Sequence, residues 1–315
     1  MKLGIIMDPI SGINIAKDSS FAMLLAAQSR TWDIYYMEMD DLFLVNDIPS
    51  ATTRKMTVED EASRWYQFHD ATTLSLFDLD VILMRKDPPF NMEYIYTTYL
   101  LELAHRQGTL VVNDPASLRD ANEKLFVSWF PQCTTPTLVA RKSEHILAFL
   151  NEHRDIILKP LDGMGGASIF RVQHADQNTN VIIETLTENG AKHVMVQQFI
   201  PEIVNGDKRI LIIDGEPVPY ALARIPKKGE IRGNLAAGGS AKGVELTTRD
   251  KWICKQLAPT LKEKGLLFVG IDVIGDYLTE INVTSPTCVR ELNRLFDLDI
   301  ANDLLDVIEN KLSNA

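Results

Sequence analysis

The chain has 315 residues, 45% hydrophobic and 24% charged, which is ordinary for a globular protein with a large core. Its 32 basic and 43 acidic residues give a formal net charge of −11, which disfavours nucleic acid and anionic membranes as partners. No apolar run approaches the roughly 18 residues of a membrane span, and the chain starts like a β-strand rather than a signal peptide. Three cysteines without C-x-x-C spacing predict free thiols in the cytoplasm, with no disulfide framework or zinc site.

The first third of the chain alternates predicted strands and helices. Helices are predicted near residues 18–30, where Asp18, Ser19 or Ser20 is the N-cap, and near residues 92–107, before Gly108. Four apolar runs between and around them predict a parallel sheet covered by helices, an α/β fold. No G-x-G-x-x-G follows the first strand, which disfavours a Rossmann oxidoreductase. Residues 50–73 are polar and mixed, and we expect an irregular excursion there.

The pattern changes to α+β in the C-terminal part of the chain. A helix predicted over residues 114–130 leads into short strands interleaved with two helices, followed by two hairpins that turn at Asp214–Gly215 and near Gly275–Asp276. Between the hairpins, residues 225–242 contain too few large apolar side chains to pack a core, which predicts a long mobile loop. Further helices are predicted near residues 249–264 and 299–312.

The second hairpin carries oxygen ligands suited to a hard cation. Glu280 and Asn282 are two residues apart on a strand, so they share one face and could bind Mg²⁺. Asp272 on the partner strand could be a third ligand, depending on the register. The alternative is that all three are solvent-facing residues on an amphipathic hairpin.

Two registers are possible for this hairpin. Pairing of Ile274 with Tyr277 around a two-residue turn would point Asp272 away from Glu280. Pairing of Val273 with Tyr277 around a three-residue bulged loop would bring both carboxylates to one face. We predict the second register.

The segment "KPLDGMGGASIF" places a lysine beside a glycine-rich bend. Lys159 ends the apolar strand "IILKP", where its amine could be neutralised by a nucleotide phosphate. Asp162, Gly163, Gly165 and Gly166 follow, and glycines let backbone N–H groups approach an anion closely. The alternative is an ordinary β-turn without a ligand.

Other candidate ligand-binding residues are individually weaker. Lys124 lies in the predicted helix at "DANEKLF", where a solvated surface lysine is the alternative. The strand "MVQQFIPE" ends at Pro201 and could offer backbone groups to a purine, with Phe199 and Ile200 as apolar walls. Guanidinium groups suit carboxylates and phosphates, although each could be a surface ion-pair partner. Five arginines lie at strand ends or in loops near the other candidates: Arg85, Arg209, Arg224, Arg232 and Arg290.

The order of these segments resembles the ATP-grasp fold. The phrases "MRKDPPF", "NDPASLRDANEKL", "ILKPLDGMGGASIFRV", "DKRILIIDGEPVPYALARIP", "RGNLAAGG" and "EINVTSPT" together resemble the bacterial glutathione synthetase family over nearly the whole chain. The resemblance implies an N-terminal parallel-sheet pre-ATP-grasp domain over residues 1–122. A two-lobed ATP-grasp fold would follow, with a lid subdomain over 123–200 and a catalytic subdomain over 201–315 that carries the mobile loop 225–242.

The resemblance also implies roles for individual residues. ATP phosphates would be bound by Lys124 and Lys159 and covered by Gly163, Met164, Gly165 and Gly166. The nucleoside would meet Gln198, Phe199, Ile200 and Asp207, and Mg²⁺ or Mn²⁺ would be held by Asp272, Glu280 and Asn282. The peptide substrate or the developing charge would be served by Arg209, Arg224, Arg232, Asn234 and Arg290, with Arg85 and Ser19 reaching the substrate from the N-terminal domain.

The reaction implied by the resemblance is ATP-dependent joining of γ-glutamylcysteine to glycine through an acyl phosphate. Its partners would be small molecules, with ATP as co-substrate, Mg²⁺ or Mn²⁺ as cofactor and a cytoplasmic homo-tetramer as the assembly. One alternative is another ATP-grasp carboxylate–amine ligase with a different substrate pair. A second is a regulatory nucleotide-binding protein without turnover, for which a missing metal ligand would be the expected mark.

Overall fold

The residues that the structure describes form three β-sheets, of seven, four and five strands. The structure is a computed structural model that describes residues 1–163, 165–227, 229–233 and 238–314. Among these residues, no helix is long and apolar enough to cross a membrane.

The first sheet contains the predicted parallel strands together with an antiparallel extension. Strands β2, β1, β6 and β7 pair in parallel in that spatial order, which confirms the predicted parallel sheet. Helix α1 begins after Asp18, whose carboxylate accepts the Phe21 N–H and is therefore the N-cap. The elements are β1 (Lys2–Ile6), α1 (Ser19–Ser29), β2 (Asp33–Met37), β3 (Leu42–Val45), β4 (Ile48–Val58), β5 (Tyr66–Ser75), β6 (Val81–Met84), α2 (Met92–Arg106), β7 (Leu110–Val112) and α3 (Pro115–Asp120).

The prediction of an irregular excursion over residues 50–73 is wrong. Strands β4 and β5 form a long antiparallel hairpin over this region. Met56 and Val58 are buried while Thr57 between them is exposed, so β4 has one buried and one solvated face. Such a strand is rich in polar residues without being irregular.

The single helix predicted over residues 114–130 is also wrong. Helix α3 ends at Asp120, and a separate 3-10 helix covers Leu125–Trp129. Between them, the Asn122 side-chain oxygen accepts the N–H groups of Lys124 and Leu125, a local bond that competes with helical pairing. Lys124 therefore lies at a break in the chain rather than within a helix.

The second sheet is a small antiparallel sheet with its own hydrophobic core. Its spatial order is β10-β9-β11-β8, and two helices pack against it through residues such as Ile146, Ile156 and Val196. The sequence did not predict β8. The elements are β8 (Thr137–Ala140), α4 (Ser143–His153), β9 (Asp155–Pro160), β10 (Phe170–Gln173), α5 (Thr179–Thr187) and β11 (Val194–Gln198).

The third sheet has the order β14-β13-β12-β15-β16 and contains both predicted hairpins. Ile213 pairs with Glu216, which confirms the turn at Asp214–Gly215. Strand β13 extends to Ile225 and β14 starts at Ser240, so the loop predicted over residues 225–242 is shorter at both ends. Residues 228 and 234–237 of that prediction lie outside the described residues. Helix α7 was not predicted. The elements are β12 (Asp207–Ile213), β13 (Glu216–Ile225), β14 (Ser240–Glu245), α6 (Thr248–Glu263), β15 (Phe268–Ile274), β16 (Tyr277–Asn282), α7 (Val289–Phe296) and α8 (Ile300–Ser313).

Two buried polar side chains connect the first sheet to the third. The Asn113 amide donates to the carbonyls of Phe268 and Val283, at 2.8 and 2.7 Å, and accepts the Phe268 N–H at 2.8 Å. Arg85 donates to the Pro286 carbonyl at 2.8 Å. These bonds fix the segment that follows β16 against the N-terminal sheet, because leaving such buried groups unpaired is costly.

Candidate active site

A cleft of about 840 Å³ is lined by residues of the second and third sheets. A second chamber of about 850 Å³ shares Lys124, Gly163, Gly165 and Glu280 with it. The first chamber brings together the predicted residues Lys124, Lys159, Gly163, Gly165, Gly166, Gln198, Phe199, Ile200, Asp207, Arg232, Asp272 and Glu280. The second adds Arg209, Arg224 and Asn282.

The register of the second hairpin differs from the predicted one. Ile274 pairs with Tyr277 around a two-residue turn, so the predicted pairing of Val273 with Tyr277 is wrong. A bulge at Thr279 then shifts the register by one residue and places Asp272 directly opposite Glu280. The predicted placement of both carboxylates on one face is therefore confirmed, by a different route.

Asp272 is held between two arginines. The Arg209 guanidinium donates two hydrogen bonds to the Asp272 carboxylate, of 2.6 and 3.1 Å, and Arg224 Nη2 lies 2.9 Å from Asp272 Oδ2. All three side chains are almost fully buried. Burial opposes the charge of Asp272, but the two guanidinium groups outweigh it and hold the pKa of the carboxyl well below its usual range.

Asp207 also pairs with Arg224, but its pKa shifts in the opposite direction from that of Asp272. Arg224 Nη2 lies 2.5 Å from Asp207 Oδ2, whereas Asp207 Oδ1 is buried without a hydrogen-bond partner among the described residues. Burial raises the pKa of Asp207 to about 6, although Arg224 opposes this. Asp207 lines the cleft, and a buried acceptor without a donor is suited to a ligand hydroxyl.

Two buried lysines, Lys124 and Lys159, line the cleft. Lys124 donates to the Gly163 carbonyl and lies 3.2 Å from the Glu280 carboxylate. Lys159 donates to the carbonyl of the bulged residue Thr279 at 3.1 Å. Burial lowers the pKa of Lys159, and Glu280 opposes this. An incoming anion would therefore stabilise the charged form of this amine.

The end of β11 forms one wall of the cleft. The N–H groups of Gln198 and Phe199 donate to the carbonyls of Pro136 and Asp155, both at 3.0 Å. These bonds fix the chain that leads to Ile200, which lines the cleft with Phe199. The geometry suits a flat apolar group lying against this strand end.

Arg232 and Gly233 border the cleft from the loop after β13. Arg232 pairs with Glu230 at 2.9 Å, and both side chains are partly exposed. A Cβ atom on Gly233 would lie 2.4 Å from the Arg224 carbonyl oxygen and 3.0 Å from Asp207 Cβ. Only glycine allows the loop to pass this close to two charged residues of the site.

Three predicted substrate residues do not line the cleft. Arg85 and Ser19 are buried, and each bonds to the segment before or at the start of α7: Arg85 to Pro286, and Ser19 to the Val289 N–H at 3.2 Å. Arg290 pairs with Asp60 at 2.6 Å and lines a separate crevice. Met164 and Asn234 lie outside the described residues.

Sequence reasoning missed Glu123. Its carboxylate accepts three hydrogen bonds, from Val283 N at 3.0 Å, Thr284 N at 3.1 Å and Thr284 Oγ1 at 2.8 Å. Burial raises the pKa of Glu123, although the Thr284 donors oppose this. These bonds fix the segment after β16 to Glu123, the residue directly before Lys124. The only signal in the sequence was its position directly before a candidate lysine.

The proposed metal ligands form a compatible set. Asp272 and Glu280 are opposite each other, and Asn282 Nδ2 lies 3.4 Å from Asp272 Oδ2. No group of three or more His, Cys, Asp or Glu side chains suited to a metal is found in the part of the chain that the structure describes. Two carboxylates and an amide oxygen are donor types that Mg²⁺ binds while it keeps water and phosphate as further ligands. Asp272, whose oxygens bond Arg209 and Arg224, would exchange one of those bonds for the metal.

The triple acceptor role of Glu123 predicts a stability difference between two substitutions. Glu123→Ala leaves buried donors unpaired and should lower the free energy of unfolding by about 2–4 kcal/mol. Glu123→Gln keeps an acceptor oxygen and should cost about 1 kcal/mol or less. Urea unfolding measures both, with Glu245→Ala, at an exposed position on β14, as the control. Equal stability of the Ala and Gln variants would contradict the assigned role.

Two family models match the chain in succession. Residues 1–119 match the prokaryotic glutathione synthetase N-terminal domain, and residues 123–297 match the prokaryotic glutathione synthetase ATP-grasp domain. Among solved structures, the D-cycloserine synthetase DcsG is similar with a TM-score of 0.67 and 14% identity, covering 99% of this chain and 100% of that one. The ATP-grasp ligase PsnB, complexed with a minimal precursor, Mg and ADP, has a TM-score of 0.63 and 15% identity, covering 99% of this chain and 98% of that one. At such low identity, both likenesses establish the fold alone.

Curated relatives are much closer in sequence. The glutathione synthetase of Vibrio vulnificus (strain CMCP6) is 62% identical over 312 residues, which cover 99% of this chain and 98% of the relative. That of Escherichia coli O127:H6 is 60% identical, covering 99% of each chain, and that of Pseudomonas aeruginosa is 58% identical over 313 residues, also covering 99% of each. The resemblance inferred from the sequence is thereby confirmed, and the chain belongs to the prokaryotic glutathione synthetase family of ATP-grasp ligases.

Proposed function

We propose that this protein joins the cysteinyl carboxylate of γ-glutamylcysteine to the amine of glycine, with conversion of ATP to ADP and phosphate. The observation that carries the proposal is the pair of adjoining chambers that share Lys124 and Glu280. One chamber has an apolar strand end at Phe199 and Ile200, suited to a nucleobase. The other contains Arg209 and Arg224, suited to a carboxylate.

The first step is phosphoryl transfer to the peptide carboxylate, which makes it reactive toward an amine. Negative charge concentrates between the two chambers, where Lys124 and Lys159 reach the phosphates and Arg209 and Arg224 face the carboxylate. These groups are buried and already fixed by Glu280, Thr279 and Asp272. Preorganised charges in a dry site stabilise a transition state more than the same charges in water.

A Mg²⁺ ion, or Mn²⁺ in its place, would be held by Asp272, Glu280 and Asn282 and would neutralise charge on the ATP phosphates when bound. The chain itself orients this set through the bulge at Thr279, and Asn282 is held by the Gly270 carbonyl at 3.1 Å.

In the second step, the glycine amine attacks the acyl phosphate and phosphate leaves. Water competes with the amine, so the site must close during this step. Ile231, Arg232 and Gly233 border the nucleotide chamber and could exclude solvent from it. We propose that the loop over residues 226–239 acts as this lid.

We further propose that the chain acts through three units, residues 1–122, 123–200 and 201–315, supported by the three sheets. We place the enzyme in the cytoplasm, because its thiol substrate and three free cysteines suit a reducing compartment. A homo-tetramer is proposed from the family resemblance, and light scattering would test it by a mass four times the 35.4 kDa of the chain.

An omission assay tests the proposed function. The protein is supplied with ATP, Mg²⁺, γ-glutamylcysteine and glycine, and ADP is measured as each is left out in turn. We expect rapid ADP release only with the complete mixture, with one glutathione formed for each ADP. ADP release that is independent of glycine would contradict the ligase, and no ADP under any condition would favour a regulatory nucleotide-binding protein.

Substitution of Glu280 directly tests its proposed role beside Lys124 and the metal. Glu280→Gln removes a carboxylate charge that faces Lys124 and the proposed metal, and turnover should fall by at least a hundredfold, as for loss of a strong electrostatic contact. Circular dichroism should show an intact fold. Glu245→Gln is the matched control and should turn over normally. Near-normal turnover of Glu280→Gln would remove this residue from the site.

The close approach of Gly233 predicts a coupling defect. Gly233→Ala forces the loop away from Arg224, so water should reach the acyl phosphate and more than one ADP should form per glutathione. The ratio of the two products in one reaction measures this. Gly12→Ala is the control, because an added methyl there meets open space. An unchanged rate and ratio in Gly233→Ala would refute the water-excluding role.

A further inference from the structure

Phe199, which lines the nucleotide chamber, is covered on one ring face by a cation. The Arg171 guanidinium carbon lies 3.7 Å from the Phe199 ring centroid. Arg171 is not among the described residues that line the chamber, whereas Phe199 is. The guanidinium therefore contacts one face of the ring without being part of the chamber lining.

Asp155 bonds both to Arg171 and to the backbone of Phe199. Its carboxylate binds Arg171 in bidentate fashion, at 2.9 and 2.6 Å, and also accepts the Gln173 amide at 3.2 Å. Its backbone carbonyl accepts the Phe199 N–H at 3.0 Å. One residue thus fixes both the backbone of Phe199 and the cation that covers its ring. The planar fork of arginine suits both contacts, since it binds a carboxylate in its plane and stacks on a ring with its face.

We propose that Asp155 and Arg171 form a positioning pair for nucleobase binding. The pair holds the Phe199 ring and the chain that leads to Ile200 in the geometry that a purine requires, without touching the nucleotide. The inference depends on the proposed use of this chamber for ATP. A cation behind an aromatic ring stabilises one ring orientation, and a ring fixed before binding loses less freedom when the ligand arrives.

A double-mutant cycle on ADP binding tests the proposal. Calorimetry with ADP and Mg²⁺ is carried out on the wild type, Arg171→Ala, Phe199→Leu and the double variant. We expect Arg171→Ala to weaken ADP binding about three- to tenfold in the wild-type background and to have little further effect beside Phe199→Leu. Arg171→Lys keeps a cation without the planar fork and should lie between wild type and Arg171→Ala.

Steady-state kinetics separate positioning from a general loss of structure. Arg171→Ala should raise the KM for ATP by a similar factor, with kcat and the KM for γ-glutamylcysteine unchanged. The control is Lys192→Ala, which removes a cation from the same lobe that pairs with Glu188 at 2.7 Å. Thermal unfolding of each variant checks that the fold is intact.

The outcomes distinguish the inference from the proposed function. A wild-type chain that fails to bind ADP overturns both. Normal ADP binding by Arg171→Ala, or an equal loss with and without the Phe199 ring, overturns the positioning pair and leaves the ligase assignment standing. A matching loss in Lys192→Ala would also overturn it, because the effect would then reflect charge in the lobe rather than contact with the ring.

Discussion

The candidate site depends on the burial of Asp272 between Arg209 and Arg224. Three adjacent strands, β13, β12 and β15, supply these side chains, and Arg224 continues the chain of contacts to Asp207. Removing one partner from a buried ion pair typically costs about 3–5 kcal/mol, because the other charge is left uncompensated. The cluster therefore holds the arginines in place before any substrate binds, and a cation or anion entering the cleft meets charges that are already oriented.

The same principle accounts for the lysines and for the bulge at Thr279. An extra residue in β16 brings Glu280 opposite Asp272 and leaves the Thr279 carbonyl to accept Lys159. One irregularity thus places a carboxylate and an amine in the same chamber. Gly270 contributes on the partner strand, since a Cβ there would lie 2.8 Å from Pro286 and 3.0 Å from Arg209 Cδ. The close packing of backbone and charged side chains explains why small residues occur beside the site.

Much of the site could be predicted because its side chains follow regular patterns. Glu280 and Asn282 share a face by strand periodicity, and the lysine and glycines at 159–166 lie at a strand end. The predicted turn register was wrong because the alternation of polar and apolar residues does not show which residue of a strand forms a bulge. That residue is identified only by how β15 and β16 pair. Lys124 was assigned to a helix because the periodicity of apolar residues continues through it. Periodicity does not show that the side chain of Asn122 bonds the local backbone and interrupts the helix. Arginines were harder to assign from the sequence. Arg209 lies on a predicted strand, Arg85 ends one and Arg290 follows another, yet of these three only Arg209 lines a chamber, and tertiary packing decides between them.

The most direct test of the account is the position of a metal ion relative to the Asp272–Glu280 face. Crystals grown with Mn²⁺ and a non-hydrolysable ATP analogue would give an anomalous signal that locates the metal independently of the protein coordinates. We expect a peak at coordination distance from Glu280 and Asn282, on the face shared with Asp272, and beside the nucleotide phosphates. A nucleotide bound in the cleft with its metal away from these three residues would contradict it.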